Sequence, residues 1–145
     1  IKLAKKNPEF KFIVIGRDPE NNILEINKIK NIKYLGVKSQ KIIAQYMNAC
    51  DLFILFSRYE GSPNVLLEAK ATGIPILCSN IEEHKELLKD NEAFFSNSNR
   101  NKINDNLTEI FNSKKYEYLS KKQNETKENN NSRAYKILEI IKDNV

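Results

Sequence analysis

Two carboxylates bracket a short loop that ends in a helix. Glu60 and Glu68 stand with seven residues between them, and the intervening run is Gly61-Ser62-Pro63-Asn64-Val65-Leu66-Leu67. Residues of these types in this order suit the capture of an anion beside a polyol. Ser62 is a good helix N-cap, and Pro63 fits the first helical position, where a missing N–H costs nothing. The amides of the following turn, up to about Val65, then have no partner within the helix. They carry the positive end of the helix dipole and attract phosphate oxygens. Gly61 lets the chain turn sharply and lets a ligand approach the backbone closely.

The helix predicted after Pro63 is apolar around most of its circumference, through Val65, Leu66, Leu67, Ala69 and Ala71. That is the pattern of a helix buried on several sides, with Glu68 in its middle. A buried carboxylate without a partner is costly, so Glu68 needs one. A vicinal diol offers two hydroxyl donors to the two carboxylate oxygens, and ribose is such a diol. Glu60, on the loop before the helix, can point toward whatever hangs from the far phosphate. Against this stands the plainer reading of a surface glutamate and a Glu68 paired with a neighbouring lysine; spacing alone leaves both open.

The elements that position these residues follow from the flanking pattern. Leu52 to Phe56 is an apolar, strand-like run, Gly73 fits a helix stop and Pro75 the turn beyond it. A strand–loop–helix step of this kind puts a helix N-terminus at the carboxyl end of a strand, the crevice where open α/β sheets bind ligands. Phe10 to Ile15 reads as a buried parallel strand closed by Gly16. The loop after it faces the same crevice, which makes Arg17 a candidate phosphate or base contact, although a solvated loop arginine explains it as well. Further strands are expected at Ile32–Gly36, Ile76–Cys78 and Ala93–Phe95, and helices at Ile1–Lys6, Asn22–Lys28, after a Ser39 cap, from Ile81 to Leu88 and over Asn101–Phe111. Alternating strands and helices predict an α/β fold, a doubly wound parallel sheet of Rossmann-like form. The core is expected over about residues 10–112, a polar linker or solvated helix over 113–133, and a C-terminal helix over 134–145, where Ile137, Leu138 and Ile141 recur at helical spacing. His84, the single histidine, has no partner by spacing and reads as structural or solvated.

At 145 residues the chain suits one domain, and 40% apolar with 30% charged residues describes a globular protein. No apolar run approaches the length of a membrane span, and no signal peptide is visible. Cys50 and Cys78 show neither metal nor redox spacing and read as buried free thiols of a reducing compartment. A net charge of +5 suits an anionic partner such as a nucleotide or a membrane surface. No basic cluster is interleaved with aromatics as single-strand binders require, which speaks against nucleic acid.

The run from Glu60 to Pro75, EGSPNVLLEAKATGIP, resembles the signature of retaining GT-B glycosyltransferases of the glycosyltransferase family 4 type. That family includes relatives of sucrose and glycogen synthases and many bacterial capsule and lipopolysaccharide transferases. Its mark is two glutamates separated by seven residues, then Ala, a Gly-x-Pro turn and a strand. The resemblance covers about Phe10 to Phe95 well and the flanks loosely. It implies a GT-B C-terminal, donor-binding domain with a catalytic Glu60 near the transferred sugar and Glu68 on the ribose hydroxyls. Gly61, Ser62, Asn64 and Val65 would hold the diphosphate. One departure is Ser62-Pro63, where many relatives have an aromatic residue and Gly; it removes a glycine and one N–H.

The implied substrate is a nucleotide-diphosphate sugar, with no cofactor and no divalent metal. The implied acceptor is a glycan or lipid-linked sugar held by an N-terminal domain, in bacterial surface-glycan synthesis. The setting is cytoplasmic and compatible with peripheral contact at the inner membrane face. In such enzymes an Arg and a Lys on the first strand–loop of the domain share the work. That strand–loop is not in this sequence, so the domain reads as incomplete at its N-terminal end and inactive by itself. Two other classes compete. A nucleotide-sugar epimerase would carry a glycine fingerprint after its first strand, and Gly16-Arg17-Asp18-Pro19 is not one. A non-catalytic nucleotide- or anion-binding α/β module remains the alternative.

Overall fold

The computed structural model describes residues 1–17, 22–61, 63–97, 107–124 and 136–141. Apolar runs too short for helices become its strands. β1 (Lys11–Gly16), β2 (Ile32–Tyr34), β3 (Leu52–Leu55), β4 (Ile76–Ser79), β5 (Phe94–Ser96) and β6 (Lys136–Ile141) form one sheet in the order β2-β1-β6-β3-β4-β5. Every neighbouring pair is parallel. All four residues of β3 and all four of β4 are buried, as expected of central parallel strands covered on both faces.

Side chains alternate between two cores. On one face Phe53, Leu55, Ile76 and Cys78 pack with Met47 of α3 (Gln40–Ala49) and with Val65, Leu66 and Ala69 of α4 (Asn64–Thr72). On the other, Leu52, Ile54 and Leu77 pack with Phe12, with Ala4 of α1 (Lys2–Lys6) and with Leu107, Ile110 and Phe111 of α6 (Leu107–Phe111). Helices on both faces make this the expected α/β, Rossmann-like arrangement. Short α2 (Ile23–Ile26) and α5 (Glu82–Leu87) complete the connections near the sheet, and α7 (Lys114–Asn124) follows α6. Lys115 ties α7 back to the sheet: its Nζ donates to the carbonyls of Asp90 at 2.5 Å and Ala93 at 2.6 Å, over the ring of Phe94. Both cysteines are buried and free, as the sequence suggests.

Three expectations change. The segment expected as a C-terminal helix over 134–145 holds a strand, β6, in the middle of the sheet; residues 134, 135 and 142–145 lie outside the described residues. β6 runs beside β1 from Lys11↔Lys136 to Gly16↔Ile141 and beside β3 from Leu52↔Ile137 to Ile54↔Glu139. The reason is backbone pairing. β1 and β3 each turn an edge toward this slot, and buried N–H and C=O groups there must find a ladder partner. Leu138 is consequently fully buried.

Second, α4 is buried along one side only, by Val65, Leu66 and Ala69, while Leu67 is 45% exposed and Ala71 is also exposed. Among the described residues no element covers the other side. Third, Pro63 occupies the N-cap and not the first helical position, with φ −81° and ψ 61°. Ser39 likewise stands at the N-cap of α3, but its hydroxyl makes no capping bond.

Candidate functional site

The carboxyl end of β3 leads into the loop that carries Glu60 and on into α4, which carries Glu68. The β3–β4 ladder ends at the pair Leu55↔Cys78. Two residues on, the amide of Ser57 donates to the hydroxyl of Ser79 at 2.8 Å, so a side chain continues the ladder where main chain no longer can. The hydroxyl of Ser57 donates to Oε1 of Glu60 at 2.5 Å. Glu60 is a loop residue, yet only 7% exposed. Ser79 is itself fully buried, and its carbonyl lies 2.9 Å from Nδ1 of His84. A carbonyl oxygen only accepts, so Nδ1 carries the proton in this contact. His84, fully buried on α5, acts as a structural anchor for the end of β4.

Beyond Glu60 the chain turns into α4. Gly61 is exposed and has no positive φ, and a Cβ added there meets no atom within 4 Å. The turn therefore does not depend on glycine; what its lack of a side chain provides is open space over the backbone. The amide of Leu66 closes the first turn on the Pro63 carbonyl at 2.8 Å. Asn64 and Val65 precede it, at the positive end of the helix. Ser62 lies outside the described residues.

Glu68 stands one turn further along α4, half-buried. Its partner is neither a lysine nor a buried neighbour: Oε1 accepts from Nε2 of Gln40, the first residue of α3, at 2.9 Å. Glu68 thus sits on the seam between α3 and α4. Arg17 is exposed just past β1. β6 separates β1 from β3, which puts Arg17 two strand spacings, about 10 Å, to the side of the glutamate loop.

Ser57, Ser79 and Gln40 are the polar residues of this edge that sequence reasoning passed over. Their partners lie 3, 22 and 28 residues away, and only the Ser57–Glu60 spacing could have drawn notice locally. Cys78, next to Ser79, is pushed up to about 12 by burial and stays a thiol. Among the described residues no three His, Cys, Asp or Glu side chains gather as a metal site would require. A cavity of about 580 Å³ lies at the opposite, amino-terminal edge of β1 and β2. Its walls combine the hydrocarbon of Phe12, Ile13, Ile32 and Tyr46 with Glu9, Asn31 and lysines, at the end of the strands remote from the glutamate loop.

Residues 1–133 match the family described as glycosyl transferases group 1. The chain belongs to that family. Among its relatives, UDP-Gal:alpha-D-GlcNAc-diphosphoundecaprenol alpha-1,3-galactosyltransferase of Escherichia coli is 33% identical over 89 residues, 57% of this chain and 22% of the relative. N,N'-diacetylbacillosaminyl-diphospho-undecaprenol alpha-1,3-N-acetylgalactosaminyltransferase of Campylobacter jejuni is 38% identical over 74 residues, 49% of this chain and 19% of the relative. The Vi polysaccharide biosynthesis protein VipC/TviE of Salmonella typhi is 29% identical over 76 residues, 49% of this chain and 13% of the relative. The chain thus aligns with less than a quarter of the length of each of these relatives. Among the described residues no helix is long and apolar enough to cross a membrane.

Proposed function

We propose that this chain is the donor-binding part of a retaining GT-B glycosyltransferase, acting on a nucleotide-diphosphate sugar. One observation carries the reading: a buried, hydrogen-bonded Glu60 and a half-buried Glu68 flank the first turn of α4 at the carboxyl edge of a parallel sheet. The chemical demand of glycosyl transfer is to stabilise the diphosphate as it leaves and its charge grows. Fixed amides at a helix N-terminus, here those of Asn64 and Val65 with Gly61 on the loop before them, meet that demand without reorganising. Glu68 takes the ribose hydroxyls, and Glu60 faces the transferred sugar. Arg17 reaches the phosphate or base from the side. The neutralisation is done by peptide dipoles, with no divalent metal and no cofactor.

The acceptor in this reading is a glycan or lipid-linked sugar. Two relatives are named for diphosphoundecaprenol-linked acceptors, which supports surface-glycan synthesis at the cytoplasmic face of a membrane. A net charge of +5 favours peripheral contact with anionic lipid. The acceptor belongs to another domain, so the chain by itself binds donor without turning it over. Titration with UDP and GDP, wild type against Glu68→Ala, tests the reading. Binding that does not weaken in the variant points instead to a non-catalytic anion-binding module.

A further inference from the structure

Glu60 is held by a buried chain of hydrogen bonds that draws on three separate parts of the fold. Ser57, just past β3, donates its hydroxyl to the Glu60 carboxylate, and its amide is caught by the Ser79 hydroxyl at the end of β4. The Ser79 carbonyl is in turn fixed by the His84 ring on α5. Ser57, Glu60, Ser79 and His84 are each less than a tenth exposed, so water does not substitute for a bond that is lost. The amide of Ser57 lies beyond the last ladder pair, so the Ser79 hydroxyl sets where the chain leaves the sheet on its way to Glu60 and Gly61.

We propose that Ser57 is a positioning residue for Glu60, aiming its carboxylate at the sugar of the donor, with Ser79 and His84 as the anchor of that relay. This rests on the reading of Glu60 as the carboxylate nearest the transferred sugar. A serine hydroxyl bonded to one carboxylate oxygen fixes the rotation of the whole group. Ser57 therefore governs the sugar end of the site while leaving the nucleotide end, at α4 and Glu68, untouched.

The test is calorimetric titration of the full-length protein with UDP and GDP, and with UDP-galactose and GDP-mannose as hexose-bearing probes. The quantity read is the preference for the hexose-bearing form over the bare diphosphate. Ser57→Ala cuts that preference about tenfold, the size of one hydrogen bond to a charged group, and leaves bare-nucleotide affinity unchanged. Ser57→Thr, which keeps the hydroxyl, retains it. Ser57→Ala adds nothing in a Glu60→Ala background, because both changes remove the same interaction. If Ser57→Ala melts out, Ser57→Cys, which keeps the volume with a weaker donor, is expected to show the same loss. An unchanged preference, additive single effects, or an equal loss for bare and hexose-bearing probes overturns the relay alone. A wild-type protein that binds none of the four probes overturns the site reading and the relay together.

Discussion

Replacing Glu68 by alanine removes the carboxylate proposed to grip a pentose. The structure sets the size of the expected loss. Glu68 is half-buried and already accepts one hydrogen bond, from Gln40 at 2.9 Å, so it cannot give the full value of two buried charged bonds. One to two ribose hydroxyls meeting a partly solvated carboxylate are worth about 1–3 kcal/mol, or roughly a 5- to 150-fold change in Kd. The fold itself should be indifferent. Gln40 is exposed, its amide finds water when Glu68 is gone, and surface changes of this kind stay within about 0.5 kcal/mol. The assay is calorimetric titration with UDP and with its 2'-deoxy analogue. Wild type should prefer the ribonucleotide, and Glu68→Ala should bind both equally. If the variant keeps wild-type affinity for UDP, or still discriminates the two sugars, Glu68 does not hold the ribose and the site has been misread.

Other outcomes follow from the same structure. Nucleotide binding should survive EDTA unchanged if, as proposed, peptide dipoles and not a divalent ion neutralise the phosphates; loss of binding that magnesium restores would contradict this. Cys78, raised from 9.0 to about 12 by burial, holds about a thousandfold less thiolate at pH 8 than an ordinary thiol, so iodoacetamide should label it only after unfolding in urea. The same shift has a sign for stability. The folded thiol keeps its proton while the unfolded one loses it, so the Cys78 contribution is present below pH 9.0 and is lost as pH rises toward about 12, a slope that Cys78→Ala should flatten. Leu138→Ala should destabilise by about 2–5 kcal/mol, read from the urea midpoint, because the residue is fully buried in a central strand. A change within about 0.5 kcal/mol would place the segment on a solvated surface instead.

Much of this protein was legible in local pattern. Leu52 to Leu55 and Ile76 to Ser79 are short, almost wholly apolar runs bounded by turn residues, which suits strands covered on both faces. Gly73 takes the left-handed conformation that ends α4, with φ 71°, where a glycine before Ile-Pro had been expected to stop a helix. The glutamate spacing and the residues after it were enough to suggest the family, because that signature is written in consecutive residues.

What lay beyond the sequence depended on partners far along the chain. Ile137, Leu138, Ile140 and Ile141 fit one face of a helix and a doubly buried strand equally well. The choice was made by β1 and β3, whose edges face the same slot and whose backbone groups require pairing. In the same way Ser57 is an unremarked loop serine until β4 brings Ser79 to its amide, and Glu68 has no visible partner until α3 brings Gln40 beside α4. Periodicity records what each segment buries, but hydrogen bonds between segments exist only once the sheet has set their order. The family signature was therefore readable in consecutive residues, and the hydrogen bonds around its two glutamates were decided by the neighbours that folding placed beside them.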